Sequence, residues 1–376
     1  METTINTKIG DQIIPHTTKR HWVTTPPSSV IQSFLKRAAE ENCEYAILEI
    51  TSQAIDQNRT WGIDFDVLVY TNLSHDHLDY HQTKERYLVA KLKAFQENPQ
   101  AKFVVNMDDS YWNRFHSLPA SEKFLYSIKR PIEHGAVARK ILPGAESITF
   151  TVAHDTGQNT INLNLPGLFN VQNALASFCV GLALELDPEK IKAGLEQIDK
   201  VTGRMESIRV SNKQDLTVIV DYAHNPDSLK NVYETVREGM IKRGGRLIAV
   251  LGATGRRDKT KRPIMGALAG GYADLVFFTN EDPYDEDPDT IIEEVAGGIH
   301  RGAKKKHQWH LNRNYWKVTD RAQAIHQAIE AADKGDVVVI TGKGAEEVMA
   351  VGEDEFIPFS DRKIARQELM KRFREE

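Results

Sequence analysis

Two apolar runs of this chain end in side chains that can do chemistry. The run CEYAILEIT ends in Glu49, Thr51 and Ser52, and FDVLVYTNL leads into Ser-His-Asp-His-Leu-Asp-Tyr-His at residues 74–81. A carboxylate from Glu49 and an imidazole from His77 make a hard donor pair suited to magnesium or manganese. Histidines at 75, 77 and 81 also admit zinc, as a weaker signal. A polar loop with solvated histidines is the other reading of the same residues. Lys91 adds to the first. On a wheel of about 100° per residue with Tyr87 at zero, it falls about 40° away, between Tyr87 and Phe95 on the apolar face. Burial there disfavours the charged amine and leaves it a nucleophile, for carbon dioxide among others, unless the side chain snorkels to water.

Phosphate binding is harder to place. GATGRRDKT at 252–260 follows an apolar run, but a P-loop needs glycine before its lysine and Asp258 stands there. TGKG at 341–344 lacks the upstream glycine and the following Ser or Thr. No G-x-x-x-x-G-K-[ST] occurs in the chain.

Apolar runs of strand length alternate with amphipathic helical stretches, the pattern of parallel α/β sheets, which hold ligands beyond the carboxyl ends of their strands. Strands are expected at Glu44 to Ile50, Phe65 to Thr71, Lys102 to Asn106, Thr217 to Asp221, Leu247 to Leu251, Leu275 to Thr279 and Val337 to Thr341. Helices are expected at Ser28 to Glu41, Lys84 to Gln96, Asn170 to Glu185 and Pro188 to Lys200. SITFTVAHD and NTINLNL alternate at period two across a Gly-Gln-Asn turn, an antiparallel hairpin. The 376 residues suffice for two domains, with a boundary near Val201 to Arg204. With 48 basic against 53 acidic residues and 40% apolar content, nothing marks a nucleic-acid binder or a disordered chain. No run long enough to span a membrane occurs, so a cytoplasmic protein is expected. Cys43 and Cys179, both in apolar stretches, read as core residues.

Taken in order, TTP at 24–26, EITSQAIDQNR at 49–59, TNLSHDHLDYH at 71–81, Ala90-Lys91, NMDD at 106–109, GLFNVQNALAS at 167–177, GRMESI at 203–208, VDYAHNPDSL at 220–229, KRPIMG at 261–266, EDP at 281–283 and TGKGAEE at 341–347 resemble the Mur ligases of the E type. The resemblance covers essentially the whole chain. It implies an α/β fold of two α/β domains: a central ATP-binding domain over 1–202, incomplete at its start and carrying a small antiparallel hairpin region, and a Rossmann-like C-terminal domain over 203–376. It implies addition of the third amino acid to UDP-N-acetylmuramoyl-L-alanyl-D-glutamate with ATP and Mg2+, through an acyl phosphate, in peptidoglycan precursor synthesis.

Residue by residue, the resemblance places Glu49, His77 and a carbamylated Lys91 at the metal-phosphate cluster. Thr24, Thr25, Thr51, Gln57 and Arg59 match positions that hold the UDP-muramoyl-peptide. Asn173, Arg204, Asp221 and His224 match nucleotide contacts, and Arg257, Asp282, Pro283, Gly342 and Glu346 match amino-acid contacts. Tyr284 stands where the family's diaminopimelate enzymes carry an arginine that grips the distal carboxylate, so lysine or another amino acid is as well suited. The acidic run Glu281, Asp282, Asp285, Glu286 and Asp287 would favour an amine-bearing tail. Thr3 to Gly10 resembles the segment just after the family's P-loop helix, so the chain is expected to begin inside the central domain, as a truncated enzyme or with a separate P-loop-bearing polypeptide as partner. A catalytically inactive binding protein and an amide ligase of the cyanophycin or folylpolyglutamate type are the alternatives.

Overall fold

The computed structural model describes residues 1–14, 24–74, 76–241, 244–302 and 308–373. His75 lies outside the described residues.

A short hairpin of β1 (Thr7–Ile9) and β2 (Gln12–Ile14) precedes helices α1 (Ser28–Glu40) and α2 (Ser52–Asp56). The first large sheet then runs β3 (Val67–Tyr70), β4 (Lys102–Asn106), β5 (Glu122–Ser127), β6 (Gly135–Pro143), β7 (Ile148–His154) and β8 (Gly157–Leu163), in that spatial order. Its first four strands are parallel and β6, β7 and β8 are antiparallel. Helices α3 (Leu78–His81), α4 (Lys84–Gln96) and α5 (Trp112–His116) follow the first two strands, while α6 (Leu168–Ala183) and α7 (Pro188–Glu196) follow β8. Val104 of β4 packs in the cluster formed with α6, and its neighbours Phe103 and Val105 pack in the cluster formed with α4. Alternation along one strand thus buries both faces, as a parallel sheet requires.

The second sheet has the order β13-β12-β11-β14-β10-β9, built from β9 (Glu206–Ile208), β10 (Thr217–Asp221), β11 (Leu247–Leu251), β12 (Leu275–Thr279), β13 (Tyr315–Val318) and β14 (Val337–Thr341). All are parallel except β9, which pairs antiparallel to β10. Leu247, Ala249 and Leu251 face the cluster formed with α8 (Pro226–Thr235), α9 (Lys261–Tyr272), α10 (Pro288–Ala296) and α11 (Ile299–Gly302). Ile248 and Val250 face α12 (Arg321–Glu330) and α13 (Asp361–Arg372). A small pair, β15 (Val348–Ala350) and β16 (Phe356–Pro358), lies between β14 and α13. Chain connections leave β11 and β14 in opposite directions, so a crevice opens between their carboxyl ends.

The expected strands at Lys102–Asn106, Thr217–Asp221, Leu247–Leu251, Leu275–Thr279 and Val337–Thr341 form with those bounds. Glu44 to Ile50 does not form a strand. Among the described residues it pairs only through the bridge Glu2↔Leu48, and Tyr45 and Ile47 stay 48% and 62% exposed. An apolar run becomes a strand only where neighbours take up its amide and carbonyl groups in series. The β7–β8 turn falls at Asp155 and Thr156, with Gly157 to Asn159 inside β8; Asp155 is anchored by the amide of Gly135 and by His134. Cys179 is buried, whereas Cys43 is only partly so.

One ion pair ties the ends of the second sheet. Arg321 and Asp361 are both fully buried and meet at 2.8 and 2.7 Å, and Arg321 also donates to the carbonyls of Asn280 and Thr341 at 3.1 and 2.7 Å. Removing one partner leaves the other charge uncompensated. Asp361→Ala should therefore cost about 3–5 kcal/mol of unfolding free energy, measured by urea denaturation; a loss below about 1 kcal/mol would show that water reaches the pair.

Candidate functional site

Five of the expected residues form one network at the front of the first sheet. Thr25, 2% exposed, donates to the carbonyl of Glu49 and accepts from the amide of Thr51, each at 2.9 Å. Thr51 caps α2 by accepting from Ala54 N at 3.2 Å. Arg59 donates to the carbonyl of Thr25 at 2.7 Å and to Gln57 Oε1 at 2.9 Å, and Gln57 reaches Tyr80 at 3.3 Å. Thr24 joins through Thr4 at 2.9 Å. The guanidinium and hydroxyls at the mouth of this network suit an anionic, oxygen-rich ligand.

Glu49 is exposed, and its Oε2 accepts from the amide and the hydroxyl of Thr4 at 2.8 and 2.9 Å. His77 lies elsewhere. It caps α3 in the left-handed region at φ 55°, its amide donates to Asp76 Oδ1 at 2.9 Å, and its ring meets the edge of Tyr87. No group of three His, Cys, Asp or Glu residues able to hold a metal occurs among the described residues. His77 and Lys91 both lie at the Tyr87 ring, 5.8 and 5.3 Å from its centre, while Glu49 is engaged by Thr4. His81 serves a different end, bonded to Ser52 Oγ at 2.8 Å and stacked on Tyr87.

Lys91 is where the wheel places it, between buried Tyr87, Leu88, Leu92 and Phe95, with Nζ 5.3 Å from the Tyr87 ring centre. Burial lowers its pKa, opposed by the charges of Asp109 and Asp76. Burial lowers that of His77 as well. Asp109 is held in place by Tyr70 at 2.5 Å and by the amide of Leu73 at 3.2 Å.

Asp76 links the two sheets. It accepts from Asn225 Nδ2 at 3.1 Å and lies 3.4 Å from His224 Nε2, both at the start of α8. Burial would raise its pKa, but the hydrogen bond and charge of His224, with Lys261, hold it well below the usual carboxylate range. Arg204, Asp221 and His224 gather around Tyr222: Arg204 lies 4.3 Å over its ring, His224 Nδ1 meets its carbonyl at 2.8 Å, and Asp221 accepts from Met205 N and Ala223 N at 2.7 Å each. Burial raises the pKa of Asp221. Asn173 donates within α6 to Asn170 Oδ1 at 3.2 Å, and among the described residues no hydrogen bond joins it to that group.

The expected amino-acid residues converge at the β11–β14 crevice around Lys343, which sequence reasoning did not single out. Lys343 is 1% exposed and donates to both oxygens of Asp282, at 2.8 and 2.7 Å, and to Glu346 at 2.5 Å. Burial would lower its pKa, but the two carboxylates carry it up. Gly342, at φ 114°, is required, since a Cβ there would stand 2.0 Å from Glu281 Oε2. Pro283 packs its carbonyl against Gly255, and burial raises the pKa of Tyr284. Arg257 instead pairs with Asp79 at 3.6 Å. The acidic run divides: Asp285 binds Arg256, Glu286 binds Lys259 and the buried Arg262, Asp287 caps α10, and only Glu281 and Asp282 face the crevice. Its outer carboxylates hold loops together rather than form a pocket.

Two sheets with polar loops meeting at their carboxyl ends define a two-domain α/β ligand-binding protein, and comparison with known proteins narrows the class. The model of the Mur ligase middle domain matches residues 2–181, and that of the Mur ligase glutamate ligase domain matches residues 203–344. A UDP-N-acetylmuramoyl-L-alanyl-D-glutamate–2,6-diaminopimelate ligase of Syntrophomonas wolfei is 38% identical over 91% of this chain and 67% of its own; one of Geobacillus thermodenitrificans is 38% identical over 98% and 72%. Among solved structures, a ligase of the same name aligns with a TM-score of 0.61 at 29% identity, covering 96% of this chain and 71% of its own. The ADP complex of MurF ligase from Thermotoga maritima shares the fold at a TM-score of 0.61 and 16% identity. The chain belongs to the Mur ligase family. The relatives are matched as single chains and give no support to a separate P-loop-bearing polypeptide.

The desolvated amine of Lys91 should take up CO2 to form a carbamate, releasing a proton. A carbonyl resonance from 13C-bicarbonate that is present in the wild-type chain and absent from Lys91→Met is the expected result. Identical spectra would leave Lys91 an ordinary packed lysine.

Proposed function

We propose that this chain joins an amino acid to the terminal carboxylate of UDP-N-acetylmuramoyl-L-alanyl-D-glutamate in peptidoglycan precursor synthesis, with ATP as the energy source. The carboxylate oxygen attacks the γ-phosphorus and ADP departs. The amine then attacks the acyl carbon, phosphate leaves, and the amine gives up a proton. The observation that carries this reading is the network joining Thr24, Thr25, Thr51, Gln57 and Arg59, which assembles the residues matched to the muramoyl-peptide in a chain 38% identical to ligases of that substrate.

In this reading Arg59, Thr24 and Thr25 hold the anionic substrate, and Arg204, Asp221 and His224 receive the nucleotide. Asn173, apart from them, would act only if the nucleotide reached α6. Lys343 holds Asp282 and Glu346 for the incoming amine. The resemblance also implies a divalent ion. Glu49, His77 and a carbamylated Lys91 are the residues that would hold it, and the ion would neutralise phosphate charge there. Residues 1–376 contain no G-x-x-x-x-G-K-[ST] to cradle phosphates.

Two experiments follow. Residues 1–376 should bind UDP-N-acetylmuramoyl-dipeptide in a calorimeter, and Arg59→Ala should weaken binding by about tenfold or more, the worth of a charge-assisted hydrogen bond. Turnover with ATP and an amino acid should be low. Rapid tripeptide formation by this chain would show that another segment replaces the P-loop, and no binding would sink the muramoyl assignment.

The second substrate depends on Tyr284, which offers one neutral donor where a guanidinium fork would grip a distal carboxylate. Diaminopimelate should therefore not be strongly preferred over lysine, ornithine or alanine in competition assays on an active form of the enzyme. Tyr284→Arg should shift preference toward diaminopimelate, and a wild-type enzyme selective for it would overturn the argument.

A further inference from the structure

Two side-chain oxygens at the carboxyl end of β12, Thr279 Oγ1 and Glu281 Oε2, meet no hydrogen-bond partner among the described residues. Their residues are 1% and 3% exposed, and they stand two apart, the period with which strand side chains return to one face. A buried oxygen stripped of water and given nothing in exchange is costly, and a charged one most of all. Glu281 is the charged one. Its Oε1 accepts from Thr254 Oγ1 at 2.9 Å, whereas Oε2 lies against the backbone of Gly342 with no donor.

Charge decides what kind of partner is wanted. Lys343 gives its ammonium to Asp282 and Glu346. Arg321 gives its guanidinium to Asp361 and to the carbonyls of Asn280 and Thr341, so it reaches Glu281 only through space, and Asp361 already balances it. The crevice then holds three carboxylates, Glu281, Asp282 and Glu346, against the ammonium of Lys343. Burial raises the pKa of Glu346, opposed by Lys343. Even with that acid protonated, one negative charge is in excess, and it is the one with an unmet oxygen. A water would satisfy Oε2 but leave the charge; a cation answers both. The donors are hard oxygens with a single free carboxylate among them, and no group of three acids or histidines able to hold a metal occurs among the described residues, so one positive charge fits better than two.

We propose that Glu281, with Thr279 as a second oxygen donor, holds a monovalent alkali cation such as K+ at the end of β12. This site stands on the chain's own oxygens and charges, whether or not the chain is a ligase.

The test is thermal unfolding of residues 1–376 in the chlorides of K+, Na+ and tetramethylammonium at one ionic strength. A cation that binds only the folded chain raises the melting temperature with its concentration. K+ or Na+ should do so saturably, and tetramethylammonium, whose methyl groups keep oxygens away from its charge, should not. Glu281→Gln keeps the shape and removes the charge, so it should need at least about tenfold more K+ for the same rise. Thr279→Val should weaken the response less. If Glu281→Gln does not fold, Glu281→Asp, with its shorter reach, is read in the same way. Equal responses of wild type and variant, or no difference among the three salts, would overturn the proposal. So would a K+ response abolished by competing lysine or alanine, which would give Glu281 to an amine, or a larger Glu281-dependent response to Mg2+, which would make the ion divalent.

Discussion

The arrangement depends on one carboxylate. Asp76 leaves the first sheet just before α3 and accepts from Asn225, 149 residues away in sequence, with His224 beside it. A buried carboxylate is costly unless its lone pairs are met, and the start of α8 meets them. The capping box of Asn225 with Ser228 keeps the asparagine at the helix start, so its side-chain amide is free to point outward. Local helix chemistry thus sets the partner of a distant loop. Through that bond, His77 and Lys91 of one sheet come to face His224 and Lys261 of the other.

Two lysines show how differently the protein treats the same charge. Lys343 is met by Asp282 and Glu346 and stays charged. Lys91 has only the face of Tyr87 and the longer reach of Asp109 and Asp76, and burial prevails. Full pairing goes with a structural role. Incomplete pairing stores a demand that a modification can satisfy.

Glu49 shows the converse. Its type and its place after an apolar run marked it as a metal ligand, and Thr4 supplies an amide and a hydroxyl that also meet its charge. The same loop takes up the backbone of Glu2 and Ile47, and the expected strand from Glu44 stops at a single bridge. What a carboxylate does is decided by which donors arrive first within hydrogen-bond reach, and those come from residues 45 positions apart.

The sequence by itself determined the elements whose signal is local. β4, β10, β11, β12 and β14 follow from runs of apolar, mostly β-branched residues between polar clusters, and the face of α4 that carries Lys91 follows from its 3.6-residue period. The grouping of Thr24, Thr25, Thr51, Gln57 and Arg59 came from the resemblance alone, and the contacts between their two segments come from the structure. Tertiary structure alone decided the bond from Asp76 to Asn225, the pairing of Lys343 and the division of the acidic run among Arg256, Arg262 and the crevice. Periodicity reports which face of an element is apolar and is fixed within a few residues. A hydrogen-bond partner depends on where two elements come to rest against each other, and neither element carries that information alone.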